Sequence, residues 1–586
     1  MFPALGEFLR YLESIGELQR IRVPVDAKLE LTEIAIRSLS EGRPALLFEN
    51  VVDSRFPLAI NVFASERRVE LALGKHPQQV GEELISFFES VVPPTPSALW
   101  RERKFVGRLA RSRGKIVRGG TAQQIVASPD LDALPIQTCW PEDGGRFITQ
   151  GQVITNDPAN GQRNVGMYRL QVFDSRTTGM HIQIERGGGF HHHRAEQRGE
   201  DLPAAVAFGT DPVLMLATVA ALPEGIDEVM FASFLRGTPI PMTKAKSIRS
   251  LVPANAEFVL EGIIPANKRR MEGPFGDHFG HYSHAAPFPE FHLQAMTHRR
   301  GAIYPATVVG VPPMEDKYVG DATQQMLGPL VRLLHKEIHD VWAYYEAGYH
   351  NLLVVSVEER YKKEAMKAAL GLLGTGQLSL TKCLVLVSSG VDVKNWEAVL
   401  REIGDHFEPS LDFLLIPKVS QDTLDFTSFK MELGSKMILD ATKKIRPRHR
   451  RKQRIIEAAE AARMDRRILR ASVRENVLLT VQVQRDGRAV VEKLVKKKEL
   501  AQFKMIAAVS DDVALEDREK LIWGIFTRFD CERDIVFTEQ RLVGISPAYG
   551  GIMGIDATWK RGYPHPLVMD ADIVKTVSKR WESYWH

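Results

Sequence analysis

Hydrophobic and polar positions in the first ninety or so residues alternate between helical and strand-like patterns. Apolar residues recur at helical spacing from Leu5 to Ile15, which predicts an amphipathic first helix. Short apolar runs at 45–48 and 58–61 predict buried strands, and helical spacing over 65–73 and 79–90 predicts two further helices. This order of elements predicts an α/β opening to the chain.

The pattern changes after proline-rich patches at 93–96 and at Pro135. Over 151–185, Val, Ile, Tyr and Phe alternate with polar residues, and turn residues interrupt the alternation at 157–161. We predict an antiparallel hairpin there, with a loop at its tip, inside a β-rich domain from about 116 to 312.

Helical spacing follows over 323–345, and then a strand and helix alternation whose blocks recur. The repeated blocks are 382–392 with 504–514, 407–416 with 529–538, and 437–443 with 553–559. Because ordered blocks agree at a nearly constant offset, we predict a second, diverged copy of one α/β unit. Two ordinary strand-helix-strand units are the alternative.

Two local signals lie in or near the second copy. The basic run 443–454 leads into a helical pattern over 455–469, and a solvated face is favoured there over a nucleic-acid site. Asp486-Gly487 separates two apolar runs, which predicts a hairpin.

The amino-acid composition limits the classes of protein to which the chain can belong. The 586 residues are 44% hydrophobic and 26% charged, which excludes a wholly disordered chain and predicts three to four domains. The net charge of +4 is too small for this length to indicate a nucleic-acid or membrane-surface partner. Cys139, Cys383 and Cys531 lie far apart, so we expect neither a disulfide framework nor a thiolate zinc site, and a reducing cytoplasm fits best. We also expect no secretory signal and no membrane span.

The densest candidate chemistry is the segment 270–282, RMEGPFGDHFGHY. Glu272 and Asp277 are separated by Gly-Pro-Phe-Gly, which predicts a tight, exposed loop. A loop can bring both acids to one cavity, where proximity raises the pKa of one and leaves the other ionised, as general acid catalysis requires. A turn with two solvated acids is the alternative, and histidines 278, 281 and 284 in the same loop favour the functional interpretation.

Other candidate residues are weaker on their own. Asn164 offers an amide oxygen and Arg169 a fork for a carboxylate or phosphate, although a strand with one polar face looks the same. The acidic segment 223–228 follows the apolar run 213–219, at a predicted strand-to-loop position where a cation site or a plain acidic turn would fit. Adjacent histidines 191–193 point in different directions and receive no metal role.

In this order the motifs resemble the UbiD family of reversible decarboxylases, which use prenylated FMN (prFMN). The matching segments are GEL at 16–18, LFEN at 47–50, NVFASERRV at 61–69, NVGMYR at 164–169, EGPFGD at 272–277, VGVPPMED at 309–316 and LGSKMILDAT at 433–442. The resemblance covers about residues 1–445, and the remainder exceeds the usual length of the family.

The resemblance implies an α/β multi-domain fold with a split β-barrel, similar to flavin reductases, that binds the cofactor. The implied parts are an N-terminal α/β region (1–115), the barrel domain (116–315), a linker helix (316–345), a C-terminal α/β domain (346–445) and an extra, apparently duplicated α/β domain (446–586).

The resemblance also implies roles in catalysis. Arg169, Glu272 and Asp277 match the family's catalytic network, in which the carboxylates exchange a proton with the substrate carbon. The arginine orients them, faces the substrate carboxylate and counts among the cofactor-binding residues.

Further matches concern the cofactor phosphate. Asn164 and Glu228 match residues that bind Mn²⁺ or Mg²⁺ there, with K⁺ as a further candidate ion, and Lys436 matches a lysine near the phosphate. The family's metal-binding histidine falls at Glu185. A carboxylate at position 185 still suits a hard cation. The alternatives are that metal binding is altered or lost, or that His181 or His191 takes the place of the family's histidine.

The implied function is reversible, non-oxidative decarboxylation of an aromatic or α,β-unsaturated carboxylic acid, with a flavin prenyltransferase supplying the cofactor. Long members of the family occur in menaquinone synthesis, so a dihydroxynaphthoate-type acid is the first candidate. A homo-oligomer is expected. Two alternatives stay open: an FMN-dependent oxidoreductase, which has no need of two loop carboxylates beside an arginine, and a non-catalytic subunit of a decarboxylase complex.

Overall fold

A computed structural model describes residues 1–92, 94–183, 186–428, 430–444 and 456–585. It divides into two units, one formed by Met1–Leu327 with His565–His586 and the other by Gly328–Pro564. In the described part of the chain no helix is both long and apolar enough to cross a membrane. All three cysteines are free and buried.

The N-terminal region of the first unit follows the predicted α/β pattern. Its elements are α1 (Leu5–Ser14), β1 (Leu18–Ile21), α2 (Glu30–Ser40), β2 (Ala45–Phe48), β3 (Leu58–Ile60), α3 (Glu66–Leu73), α4 (Pro77–Val91), α5 (Pro96–Arg101) and α6 (Arg103–Arg111). Helix α1 buries Phe8, Leu9 and Leu12 on one face, as its spacing predicts. The Ser65 side chain caps α3 by accepting a hydrogen bond from the Arg68 amide.

The middle of the first unit is built around a barrel. Its elements are β4 (Lys115–Ile116), β5 (Ile125–Ala127), β6 (Phe147–Asn156), β7 (Arg163–Asp174), β8 (Thr177–Gly179), α7 (Gly187–Arg198), β9 (Leu202–Phe208), α8 (Pro212–Val219), α9 (Glu228–Arg236), β10 (Pro241–Lys244), β11 (Leu251–Pro253), β12 (Phe258–Ile264), β13 (Arg269–Glu272), β14 (Ala286–His298), β15 (Tyr304–Pro305) and α10 (Glu315–Leu327). Of the described strands, six close an antiparallel ring in the order β12-β9-β6-β7-β8-β14, with β14 returning to β12.

The predicted hairpin is confirmed as β6 and β7, joined by the 157–162 loop. A bulge between Glu261 and Gly262 bends β12 against β14. Only glycine fits there, because a Cβ on Gly262 would lie 2.0 Å from the carbonyl oxygen of His292. Side chains such as Leu170, Val206 and Leu260 are fully buried and form part of the core.

One prediction in this region is wrong. The apolar run 213–219 is the helix α8, not a strand, because Asp211 caps it and Pro212 occupies its first turn. Glu228 consequently stands at the start of the next helix, α9, rather than in a turn after a strand.

The second unit contains two similar sheets. Its elements are β16 (Ile338–Ala343), β17 (Leu353–Val357), α11 (Glu364–Leu372), β18 (Cys383–Ser388), α12 (Trp396–His406), α13 (Pro409–Asp412), β19 (Phe413–Ser420), β20 (Leu433–Asp440), α14 (Ala458–Ala462), β21 (Ile468–Arg474), β22 (Leu478–Val483), α15 (Gly487–Leu494), β23 (Met505–Val509), α16 (Arg518–Phe526), β24 (Ile535–Val543) and β25 (Ser546–Ala557). The described strands form sheets of order β16-β17-β18-β20-β19 and β21-β22-β23-β25-β24, with matching parallel and antiparallel pairs. This is the architecture that the sequence repeat predicts.

Contacts between the two copies are reciprocal. Lys504 Nζ donates to the carbonyl oxygen of Phe407 over 2.8 Å, and the equivalent Lys382 Nζ lies 5.2 Å from the centre of the Phe529 ring. The buried Trp396 meets Phe526 edge-on, with ring centres 5.7 Å apart. The second copy therefore packs on the first through equivalent parts of both.

Two predictions in the C-terminal half are wrong. Helical structure over 323–345 ends with α10 and a 3₁₀ turn, after which β16 pairs with β17, so the linker helix 316–345 does not extend through its second half. Asp486-Gly487 begins α15 instead of turning a hairpin, because Val490, Val491 and Leu494 bury one helical face.

Some expectations are not tested by the fold. The basic run 443–454 lies outside the described residues except for positions 443 and 444. The domain boundaries stay predictions. The last helix, α17 (Ala571–Arg580), belongs to the first unit, where the Tyr584 hydroxyl that follows it donates to Glu30 Oε1 over 2.8 Å.

Candidate active site on the barrel

Three residues that the sequence singles out meet inside the first unit. Arg169 lies on β7, Glu272 ends β13, and Asp277 lies in the loop between β13 and β14. Their exposed fractions are 9%, 0% and 7%. Strand β7 pairs with β8, β8 with β14, and β14 with β13, so residues about a hundred positions apart share one buried site.

A single guanidinium joins the two acids. Arg169 Nε donates to Glu272 Oε1 over 2.9 Å, and its Nη2 lies 3.2 Å from Glu272 Oε2. Its Nη1 donates to Asp277 Oδ2 in a short contact. The guanidinium also lies over the ring of Phe275, 4.7 Å from the ring centre. The paired contact with Glu272 is the bidentate geometry in which arginine holds a carboxylate most strongly.

The ion pairs and hydrogen bonds of this network set the pKa values of its two acids. Burial acts to raise the pKa of Glu272, but the Arg169 guanidinium and a hydrogen bond from His181 outweigh it and lower that pKa to about 2. Burial is likewise outweighed at Asp277, where His278 and Arg169 hold the pKa well below its usual range. Both acids are therefore ionised at neutral pH in this state. The expectation that proximity raises the pKa of one of them is wrong, because a single guanidinium pairs with both.

His181 and Ser283 complete the network. His181 Nδ1 lies 3.0 Å from both Glu272 Oε2 and Arg169 Nη2, and Ser283 Oγ accepts from Arg169 Nη2 over 3.0 Å. Burial and the nearby Arg169 lower the pKa of His181, which favours the neutral ring. The sequence predicted His181 only as a substitute metal ligand, since no spacing links position 181 to position 272.

Two further polar side chains fix the loop that carries Asp277. Gln171 donates to the carbonyl oxygen of Gly144 over 2.7 Å and accepts from the Gly273 amide over 2.8 Å. The partly buried Asp143 accepts from the Gly276 amide over 2.8 Å, and desolvation of its carboxylate raises its pKa to about 7. Sequence reasoning missed Asp143, because its function depends on a loop more than 130 residues away.

Asn164 and Glu228, the predicted metal residues, also come together. Glu228 Oε2 accepts from the amide of Val165, the residue directly after Asn164, over 2.8 Å, and burial raises the pKa of Glu228 to about 7. The buried Asn164 Nδ2 has no hydrogen-bond partner within the described ranges. A half-turn of the amide would put its oxygen where Nδ2 lies, and an amide oxygen with a carboxylate oxygen fits a hard cation.

The structure gives less support to the other predicted metal ligands. Glu185 lies outside the described residues. His191, a possible substitute, is already 2.9 Å from the Thr155 hydroxyl through its Nδ1. Among the residues that the structure describes, no group of three or more His, Cys, Asp or Glu side chains forms a metal cluster.

Gly187 gives the Asn164 position its space. A Cβ on Gly187 would lie 2.1 Å from Asn164 Oδ1. We expect Gly187→Ala to displace the amide and lower the free energy of unfolding by about 1–3 kcal/mol, as overpacking does. Chemical denaturation measures this, with Gly107→Ala as control, because the nearest atom there is 3.8 Å away and lies at the end of a flexible arginine. Equal stability of the two variants would contradict the close approach.

Lys436, the predicted phosphate-side lysine, lies on β20 of the second unit. Its Nζ donates to the carbonyl oxygen of Thr381 over 3.0 Å, and burial lowers its pKa to about 8. A buried lysine with one neutral partner has donors left for an anion.

Comparison with known families covers most of the chain. The UbiD model described as the 3-octaprenyl-4-hydroxybenzoate carboxy-lyase Rift-related domain matches 115–312, and the corresponding N-terminal domain model matches 9–88. The C-terminal domain model matches both 317–441 and 465–557, that is, both copies of the repeat.

Individual proteins agree with the family models. A Chlamydia pneumoniae protein, named as one subunit of a 4-hydroxybenzoate decarboxylase, is 36% identical over 589 residues, 99% of this chain and 98% of its own. Vanillic acid decarboxylase of Sedimentibacter hydroxybenzoicus, in closed form, is 25% identical with a TM-score of 0.68, over 78% of this chain and 96% of its own.

A third relative is an evolved dimeric form of the UbiD-class enzyme HmfF of Pelotomaculum thermopropionicum, in complex with prFMN. It is 27% identical with a TM-score of 0.62, over 76% of this chain and 96% of its own. Since family models match well over half of its residues, the chain belongs to the UbiD family.

Proposed function

We propose that this chain catalyses the reversible, non-oxidative decarboxylation of an aromatic or α,β-unsaturated carboxylic acid with prFMN. The observation that carries the proposal is the buried guanidinium of Arg169, which joins Glu272 and Asp277. Proton exchange at carbon needs an acid held in place and shielded from water, and this network supplies both. A flavin oxidoreductase has no need of it.

The two acids have different surroundings, which suggests different roles. Glu272 is fully buried and bound by both Arg169 and His181, so its role is to orient the arginine. Asp277 lies on a loop, and its Oδ1 is 2.7 Å from Nδ1 of the partly exposed His278. We assign proton exchange with the substrate carbon to Asp277 and proton supply from solvent to His278.

The network also explains how Asp277 gains a proton. Arg169 keeps Asp277 ionised while the guanidinium is shared between the two acids. A substrate carboxylate facing Arg169 competes for the same N–H groups, which weakens the hold on Asp277 and raises its pKa. Substrate binding therefore prepares the acid.

When bound, prFMN supplies the electron-accepting route that an sp² carbon lacks when it loses carbon dioxide. Asn164 and Glu228 would hold Mn²⁺ or Mg²⁺ beside the cofactor phosphate, with K⁺ as a further candidate and Glu185 as a third ligand. Lys436 is proposed as a phosphate-side lysine. Support for the metal residues is the pairing of Glu228 with the backbone after Asn164.

The relatives narrow the substrate class. The names of two of them specify 4-hydroxybenzoate and vanillic acid, both hydroxylated aromatic acids. We therefore place hydroxybenzoates beside dihydroxynaphthoate-type acids as first candidates. A cytoplasmic homo-oligomer that receives its cofactor from a flavin prenyltransferase completes the proposal.

Co-expression with a flavin prenyltransferase tests the proposal. We expect mass and absorption spectra of the released small molecules to show prFMN, and carbon dioxide release from at least one hydroxylated aromatic acid. Glu228→Gln should lower the bound manganese, whereas the exposed Glu224→Gln should not. Plain FMN with redox turnover would support the oxidoreductase instead. Absence of any flavin would support a non-catalytic subunit.

A further inference from the structure

Helices α5 and α6 and the chain up to residue 118 form a strongly basic surface segment. Within 96–118 there is one acidic residue, Glu102, and the basic residues are Arg101, Arg103, Lys104, Arg108, Arg111, Arg113, Lys115 and Arg118. The whole chain carries only +4, so this positive charge is concentrated locally. We call 96–118 the basic segment.

Most of the positive charge of the basic segment is not paired with neighbouring acids. Arg108 pairs with Glu83 over 3.4 Å. The seven other cations have no carboxylate at ion-pair distance in the part of the chain that the structure describes. A surface of this kind attracts a polyanion or an anionic interface.

Exposed apolar side chains lie among these cations. Trp100 is 69% exposed and Ile116 is 63% exposed, and Leu99 and Leu109 are also exposed. The guanidinium of Arg103 lies 4.5 Å from the centre of the Trp100 ring. Tryptophan and leucine next to lysine and arginine are typical of segments that lie in the headgroup region of a membrane.

Packing holds the basic segment in place. Phe105 of α6 stacks on Phe87 of α4 at 3.7 Å and contacts Phe234 of α9 at 4.8 Å, measured between ring centres. Arg108 Nη2 also donates to the carbonyl oxygen of Phe234 over 3.2 Å. The segment is therefore attached to α9, the helix that begins with Glu228.

From this combination we propose that the basic segment binds the surface of an anionic lipid membrane. A nucleic acid would also satisfy the cations, but it would leave Leu99, Leu109 and Ile116 in water. Single-strand binding further relies on several stacking aromatics, whereas Trp100 is the one exposed aromatic side chain of the basic segment. A lipid surface satisfies both the charges and the apolar side chains.

Sedimentation of the full chain with vesicles tests the proposal. We expect binding to phosphatidylcholine vesicles that contain phosphatidylglycerol, no binding to phosphatidylcholine alone, and release by salt. The triple variant Lys104→Glu, Arg111→Glu, Arg113→Glu should lower the partition coefficient by about 100-fold or more, given the contribution of each charge near such a surface. Trp100→Ser should lower it several-fold while leaving all charges in place.

A matched control separates the basic segment from general charge. Lys28→Glu, Arg300→Glu, Lys579→Glu changes three exposed cations elsewhere in the same unit and should bind as the unmodified chain does. Thermal unfolding checks that both triple variants are folded. Equal loss in both variants, or no vesicle binding by the unmodified chain, would overturn the proposal. So would unchanged binding by Trp100→Ser together with tight binding to RNA, which would indicate a nucleic-acid site.

Discussion

Asp277→Asn is expected to lower the rate of decarboxylation by about 10³-fold, within the range of general acid–base contributions. Asparagine has nearly the same shape, and its oxygen can still accept from Arg169, so the loop should keep its position. It cannot exchange a proton with a carbon. The measurement is carbon dioxide release by protein loaded with prFMN, together with exchange of the product's hydrogen with D₂O.

Glu272→Gln serves as the contrasting variant. It also removes a negative charge that pairs with Arg169, and we expect it to lower turnover strongly while the fold and the cofactor content persist. Exchange of the product's hydrogen separates the two roles, because Asp277→Asn abolishes exchange whereas Glu272→Gln slows it. Exchange at the normal rate in Asp277→Asn would show that another group handles the proton.

His278 offers a further check on the same assignment. If it supplies protons to Asp277, His278→Phe should lower the exchange rate without removing the Arg169 pairing. His284, another histidine of the same loop, lies outside the hydrogen bonds of the catalytic network among the described residues, so His284→Phe is the matched control.

Local pattern predicts much of the fold. Alternation of apolar and polar residues is enough for the β6–β7 hairpin, because a pleated strand with one buried face imposes that period. The sequence repeat likewise predicts two sheets of equal strand order. The predictions of secondary structure are wrong at α8 and α15, where a short apolar run fits both a strand and a helix. Capping or burial decides between the two structures there.

The candidate site likewise contains residues that the sequence predicts and residues that it does not. Arg169, Glu272 and Asp277 are visible from the sequence because a motif order identifies them, whereas His181 and Asp143 are not. Their roles arise from contacts across 91 and 133 positions, respectively. No local period carries that information, because only closure of the barrel and folding of the 273–285 loop bring those residues together.

Arg169→Met should destabilise the first unit and reverse its response to pH. In the unmodified chain the pKa of Glu272 is lowered to about 2, so its stabilising contribution is present above its ordinary value of 4.5 and is lost as pH falls toward 2. Without the guanidinium, two buried carboxylates lose their shared counter-charge. Breaking such a buried pair costs about 3–5 kcal/mol.

The same variant changes the sign of the pH dependence. Burial then outweighs the remaining hydrogen bond from His181 and raises the pKa of Glu272, while His181 itself binds a proton more readily; at Asp277, His278 still opposes burial. Both effects favour the folded state at lower pH, so the variant should become more stable from pH 7 to pH 5, where the unmodified network has no such slope. Denaturation at several pH values measures this.

Two further variants make the argument specific. Arg270→Met, at the exposed arginine of β13, should leave stability and its pH dependence unchanged, because its guanidinium lies over the Phe173 ring rather than on a carboxylate. Adding Glu272→Gln and Asp277→Asn to Arg169→Met should recover much of the lost stability, since it removes the buried charges along with their partner. If the triple variant stays as unstable as Arg169→Met, the cost lies in lost packing of the guanidinium and not in its charge.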